Sequence, residues 1–203
     1  MENNKRLTGM VIHGFAVAHA ATAFTLAQTI VGDEVALTAL TVAMIVTIAK
    51  INGADWSVSK IRFSIFAGGY LGTRGAVLLV KWIPGIGNVA NATVTFAITE
   101  TIGWVTYLII QKGMNPETLS KEDATTLWEE AGIIRGEEAE KSKKLYESMN
   151  PEDKKEFKSL IKQLKNKGLP KETRDYLLSK LETISSKYVD GEYVDGDEQW
   201  KKQ

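Results

Sequence analysis

The side chains best suited to chemistry are ionisable groups that interrupt otherwise apolar stretches. Glu100 is the only charged residue between Val89 and Gln111. A carboxylate in such a segment must be paired, hydrogen-bonded or protonated, because an isolated buried charge is costly. Arg74 and Arg62 in the preceding apolar segment are its candidate partners. Such a pair serves either as a proton or ion relay or as an interior ion pair that fixes helix register, and no catalytic residue is assigned.

The spacing of the two histidines argues against a metal site shared between them. His13 and His19 are six residues apart, which is roughly 600° around a helix and places them on different faces. We therefore expect packed or interhelically hydrogen-bonded histidines. The chain has no cysteine, which excludes disulfides, thiolate nucleophiles and cysteine-ligated metals. Neither a metal nor a cofactor is predicted.

One glycine-rich turn is a candidate anion site. Gly85 and Gly87 precede a predicted helix that Asn88 can cap. Their backbone N–H groups either bind an anion or form a plain turn. The segment 68–75 lacks the Lys-Ser/Thr pair of a phosphate-binding loop, so it predicts no nucleotide site.

Four apolar helices position these residues. Chain breaks near Gly32, at 52–55 and at 83–88 divide the first half into predicted helices at 8–31, 35–51, 57–81 and 89–111. Short connections make them two helical hairpins. The predicted fold is all-α: two glycine- and alanine-rich hairpins form a membrane-associated bundle, and a small charged helical domain follows.

Charge divides the chain into unlike halves. Residues 1–113 hold eight Lys and Arg and five Asp and Glu, whereas residues 114–203 hold 17 and 20. The second half is mixed in charge rather than basic, so a nucleic-acid partner is not predicted. We expect a hydrophobic four-helix domain at 1–113, a polar linker with a short helix at 114–145, a soluble hairpin at 146–188 and an acidic tail at 189–203. Gly132 and Gly136 are expected to interrupt the linker helix.

The apolar half fits a membrane and a buried core in different respects. Leu7 to Gly32 has no charged residue, and its length suffices to span a bilayer. The uncharged run from Val35 to Ala49 is only about 22 Å long as a helix, short of a hydrocarbon core. If all four helices span, most Lys and Arg fall on one side, which predicts cytoplasmic termini.

Small residues at every fourth position predict close helix packing. The first helix has Gly14 and Ala18 in such a row, and the third has Gly68, Gly72 and Ala76. Rows of this kind associate helices in lipid. Tight soluble bundles also use them, so membrane insertion and a soluble core both stay open, with the membrane favoured.

Three stretches within residues 8–112 carry a resemblance to a known family. They are His13-Gly14 with 18–20, the run 33–45, and 83–88 leading to Trp104. Together they resemble the uncharacterised bacterial YcjF-type family of hydrophobic helical domains, which also occur fused behind Era-like or dynamin-like GTPases. Thr41 stands where the family has Gln. The resemblance implies a membrane-proximal partner domain, with any nucleotide chemistry in another chain.

These observations predict a non-enzymatic protein of the cytoplasmic membrane. Its charged C-terminal helices dock a cytoplasmic protein partner, for which a GTPase is the candidate. One alternative is a soluble cytoplasmic scaffold that forms homo-oligomers through its apolar half. Another is a small transporter or enzyme that uses Glu100 and Arg74.

Overall fold

The described part of the chain is entirely helical. A computed structural model describes residues 2–26, 33–54, 56, 89–164, 166 and 169–189. Within them the chain is all-α without strands, which confirms the predicted class. The helices are α1 (Glu2–Leu26), α2 (Asp33–Ile51), α3 (Val89–Gln111), α4 (Lys121–Glu147), α5 (Pro151–Leu164) and α6 (Lys171–Val189), with a 3₁₀ turn at Pro116–Thr118.

The central element is α1, which packs against each of the other five helices. All residues from Leu7 to Ala16 are buried. A helix that is apolar on every face must be covered on every face, which explains why no side of this stretch meets water. The sequence predicts this helix from residue 8, but it begins at Glu2 because the charged first turns continue it along α4.

Glycines set how closely α1 approaches its neighbours. A Cβ on Gly103 of α3 would lie 2.6 Å from Ile12, and one on Gly9 would lie 2.5 Å from the Ser142 hydroxyl of α4. A Cβ on Gly14 would lie near the ring of Phe157 in α5. The predicted close packing at Gly14 is therefore present, but its partner is an aromatic side chain of a charged helix.

The third predicted helix, 57–81, lies outside the described residues. So do Arg62, Arg74, the row Gly68, Gly72 and Ala76, the turn Gly85, Gly87 and Asn88, and the tail from 190 onward.

Helix α4 corrects one prediction. Gly132 and Gly136 do not interrupt it, because the helix is continuous over 27 residues. Buried positions recur along one face on both sides of the glycines, from Leu127 to Ser142, and this tertiary packing outweighs a glycine cost of about 1 kcal/mol each. A capping box between Ser120 and Asp123 fixes its start.

Helices α5 and α6 lie in the region of the predicted hairpin, 146–188, and contact each other. The Asn150 side chain accepts a hydrogen bond from the Asp153 backbone N–H at 2.7 Å, which caps α5. Phe157 and the leucines of α5 share one hydrophobic cluster with α6 and with α1. On α6, Leu178 is buried, whereas Tyr176 is 58% exposed.

The start of α5 is also tied to the end of α6 through a carboxylate. The Asp153 carboxylate accepts a hydrogen bond from the Tyr188 hydroxyl at 2.7 Å and one from the Lys187 ammonium at 3.2 Å. The Tyr188 bond and then Lys187 hold the Asp153 pKa below its usual value. The Tyr188 oxygen in turn accepts a bond from the Asn150 N–H.

We predict that Gly14→Ala destabilises the protein and Gly132→Ala stabilises it. A Cβ at Gly14 meets the fully buried Phe157 ring at 2.6 Å or less, and overpacking costs about 1–3 kcal/mol. A Cβ at Gly132 meets nothing within 4 Å, so that variant gains helix propensity of up to about 1 kcal/mol. Denaturant unfolding followed by circular dichroism measures both. Equal changes in the free energy of unfolding for Gly14→Ala and Gly132→Ala would contradict the close contact between Gly14 and Phe157.

We predict that Tyr188→Phe lowers the free energy of unfolding near pH 7 by about 1 kcal/mol, the usual value of a hydrogen bond. The folded-state pKa of Asp153 is depressed, so its contribution is present above the unfolded pKa and is lost as pH falls through the folded pKa. The difference between Tyr188→Phe and the parent should therefore shrink as the pH falls below the ordinary Asp pKa of 3.8. Tyr176→Phe, on the exposed side of α6, is the control. A difference independent of pH would refute this role of Asp153.

Candidate functional site: a buried histidine and glutamate pair

Two ionisable side chains meet in the interior between α1 and α3. The His13 Nδ1 atom lies 3.0 Å from the Glu100 Oε1 atom. The two side chains are 10% and 6% exposed. A hydrogen bond between a carboxylate and an imidazole satisfies both groups away from water, which is the condition for burying them.

Aromatic rings enclose this pair. The His13 ring meets Phe96 edge-on with centroids 5.3 Å apart, and Tyr146 of α4 lies 5.6 Å away. Burial raises the pKa of the Tyr146 hydroxyl. Tyr146 also contacts Phe157 edge-on, so the charged helices close the site. Such surroundings exclude water and strengthen the hydrogen bond at the centre.

Antiparallel packing brings the two residues together. Ile12 of α1 meets Gly103 of α3, and Gly9 lies beside Trp104. His13 lies 11 residues after the first residue of α1, and Glu100 lies 11 residues before the last residue of α3. The partner of Glu100 is therefore a histidine that stands at equal depth, which the sequence analysis missed. The sequence prediction begins this helix at residue 8, which places His13 only five residues from its start, so the equal depth appears only because α1 begins at Glu2.

Other polar contacts fasten the same helices nearby. The Arg135 guanidinium of α4 donates to the Ala97 carbonyl at 3.1 Å and to the Thr101 hydroxyl at 3.2 Å. His19 joins α1 to α2, since its Nε2 atom lies 3.2 Å from the Thr41 hydroxyl. The two histidines thus act on separate neighbours, as their spacing predicts.

A second buried carboxylate, Glu138 of α4, binds the start of α1. It accepts hydrogen bonds from Lys5 at 2.9 Å and from Lys141 at 3.1 Å. Burial raises the Glu138 pKa, but the bonds from Lys5 and Lys141 outweigh it, so the pKa lies below its usual value. The same bond to Glu138 raises the Lys5 pKa. This contact fixes the first turn of α1 against a charged helix.

The chemistry open to His13 and Glu100 is limited by access. A histidine and carboxylate pair can exchange a proton, but acid–base catalysis needs a substrate within hydrogen-bond reach. A groove lies between α1 and α5 and is lined by Gly14, Ala18 and Ile161 among others, but neither His13 nor Glu100 lines it. Within the described residues no group of three His, Asp or Glu is arranged to hold a metal. The arrangement therefore fits a contact that fixes the register of α1 against α3.

One helix in the described part of the chain is long and apolar enough to cross a membrane. It is the window Val94–Gln111, which includes Glu100 and of which 44% is buried. The core helix of a water-soluble bundle passes the same test of length and composition. A shorter apolar stretch, Leu40–Ile51, lies in α2.

We predict that substitutions of His13 and Glu100 have strongly coupled effects on the free energy of unfolding. His13→Leu or Glu100→Leu alone leaves a buried ionisable group without its partner and should cost about 3 kcal/mol or more. The double variant removes both polar groups and should cost much less than the sum, because apolar pairs of similar shape can replace buried polar pairs. A double-mutant cycle from denaturant unfolding measures this.

The control is Thr99→Val, since the Thr99 hydroxyl donates to Thr95 in its own helix. This variant should show no coupling to His13→Leu. Strictly additive losses for His13 and Glu100 would mean that their contact contributes nothing to the fold.

Comparison with protein-family models, with curated proteins and with solved structures finds no match for this chain. The likeness of residues 8–112 to YcjF-type domains therefore stays a prediction. So does the association with a GTPase that it implies. What the protein does must be argued from the geometry of its helices.

Proposed function

We propose that this is a non-enzymatic, membrane-associated protein of the cytoplasmic face. In this proposal the charged helices and the parts of α1 and α3 that they cover lie in water. The opposite end of the bundle, called the apolar end, contacts the lipid; its described residues are uncharged apart from Asp33 and Glu34, which begin α2. Helices α4 to α6 then offer a surface to a protein partner, and a GTPase is the candidate that the sequence resemblance suggests.

The observation that carries the proposal is the uneven cover of the apolar helices. Near its start α1 is bound by α4, through the Lys5–Glu138 ion pair and the close approach of Gly9 to Ser142. Further along, α5 covers Gly14 with Phe157. Beyond this point the cover thins, and Val17, Ala18 and Ala20 are only half-buried while Ala21 is exposed.

The same end of the neighbouring helices is also apolar and incompletely covered. Residues 94–96 of α3 are half-buried, and so are Thr41 and Val42 of α2. The described residues 7–26, 35–49 and 89–99 contain no charged side chain, whereas Asp33 and Glu34 begin α2 at this end. Incompletely covered apolar surface at one end of a bundle is suited to contact with a membrane or with another protein.

This geometry favours insertion of one end over four full spans. The Arg135 guanidinium reaches the Ala97 carbonyl, so a charged helix lies beside most of the apolar window Val94–Gln111. A charged helix in the hydrocarbon region would be costly. We therefore place the bilayer beyond the level of Ala97. The charged helices α4, α5 and α6 then lie in the cytoplasm.

Two large apolar side chains, on two different charged helices, are candidate contacts for a partner. Ile133 on α4 is 64% exposed, and Tyr176 on α6 is 58% exposed. Exposed aromatic residues and their apolar neighbours are frequent anchors in protein interfaces. The second candidate function is a scaffold that forms homo-oligomers. It would use the apolar end of the bundle, because a second copy could cover that surface.

We predict that the apolar end of the bundle enters the bilayer. Because the natural chain has no cysteine, a single cysteine carries an environment-sensitive dye such as NBD at a chosen place. Ala21→Cys, on the exposed end of α1, should show a blue shift and brighter fluorescence when phosphatidylethanolamine and phosphatidylglycerol vesicles are added. Lys143→Cys, on the exposed face of α4, is the matched control and should not change.

Flotation with the same vesicles gives an independent measurement. The full chain should float with lipid and stay bound in high salt. A chain that remains at the bottom of the gradient, with an Ala21→Cys label that vesicles leave unchanged, would refute membrane association. Monodisperse oligomers without detergent, together with that result, would support the scaffold.

A further inference from the structure

A groove with an apolar floor and a basic rim lies between α1 and α5. Its volume is about 300 Å³, at the lower end of the roughly 300–1,000 Å³ of small-molecule sites. Gly14, Val17 and Ala18 form the floor on α1, and Ile161 faces them from α5. Lys158 and Lys162 border the same space.

The groove follows from the size of its side chains. Gly14 admits the Phe157 ring at one end, so α5 approaches α1 closely there. Ala18 and Ala21 continue the same face of α1 with little volume. An open channel is left between the two helices. The exposed residue Ala21 lies where this channel faces the apolar end of the bundle.

The two lysines on the rim are not neutralised by carboxylates. Lys180 pairs with Glu156, and Lys187 pairs with Asp153. Lys158 and Lys162 have no ion pair within the part of the chain that the structure describes; Lys155 and Lys171 have none either, but they do not line the groove. Lys158 and Lys162 are four residues apart on one helix, where like charges repel each other. An anion between their ammonium groups would relieve this repulsion.

A third basic residue extends the same row. Lys154 precedes Lys158 by one helical turn, and its ammonium group lies 5.0 Å from the centroid of the Tyr146 ring. Tyr146 also borders the groove. The rim is therefore positive along its length, while the floor is apolar.

We propose that this groove binds an acyl chain of an anionic phospholipid, with the lipid phosphate on Lys158 and Lys162. An apolar channel beside two cations complements a molecule that has a hydrocarbon chain and an acidic head. A soluble anion would leave the floor unused, and a neutral lipid would leave the lysines unpaired. This site rests on the proposed function, because the membrane supplies its ligand.

The test compares vesicles of phosphatidylcholine with vesicles that also contain phosphatidylglycerol. The full-length wild-type chain should bind the anionic vesicles more tightly. Lys158→Gln with Lys162→Gln should weaken that binding by about 20-fold, since each basic residue near an anionic surface contributes roughly a fivefold factor. Lys143→Gln with Lys171→Gln, an exposed pair away from the groove, removes the same charge and should change it little.

A second variant tests the floor without altering charge. Ala18→Trp fills the groove and should also reduce the preference for anionic vesicles, with circular dichroism to verify the fold. Equal loss in both lysine pairs would mean general electrostatic attraction and would overturn the groove. So would wild-type binding that does not depend on phosphatidylglycerol, or a folded Ala18→Trp variant with unchanged preference. In those cases membrane association itself stands, whereas no binding to either vesicle rejects both proposals.

Discussion

The burial of α1 on every side is the constraint on which the rest of the structure depends. Ten consecutive residues, 7–16, are buried, and a helix cannot achieve this with a single neighbour. The protein therefore surrounds α1 with α2, α3 and the three charged helices, and each must bring an apolar stripe to it. Gly9 and Gly14 let two of these helices approach closely enough. The buried pair of His13 and Glu100 then selects one register among the apolar alternatives.

This constraint also explains why the charge division in the sequence is not a division in space. Tyr146 and Phe157 come from the charged half, but they lie against His13 and Gly14 in the apolar half. One hydrophobic cluster runs through both. The polar faces of α4 to α6 are thus the outer surface of a bundle whose inner helix is α1. Apolar surface without such cover remains at the far end, where we place the lipid.

Sequence patterns predicted those parts of the fold that local chemistry determines. The limits of α3 depend on nearby residues, and they are found as predicted. Helix α4 was misjudged because its continuity depends on packing along Leu127 to Ser142, which outweighs two glycines. The partner of Glu100 was missed for a related reason, since pairing across helices depends on depth and facing, and these follow only once the bundle is assembled.

The central position of α1 has a consequence for synthesis. Helix α1 leaves the ribosome before the helices that cover it, and it has contacts with α6, the last helix described. About 155 residues separate Ala16 from Lys171, which takes roughly 8 to 30 s to translate at about 5–20 residues per second. During that interval the uncharged apolar stretch of α1 from Leu7 onward has no complete set of neighbours. The order of the helices along the chain therefore determines how long this apolar surface stays without its full cover.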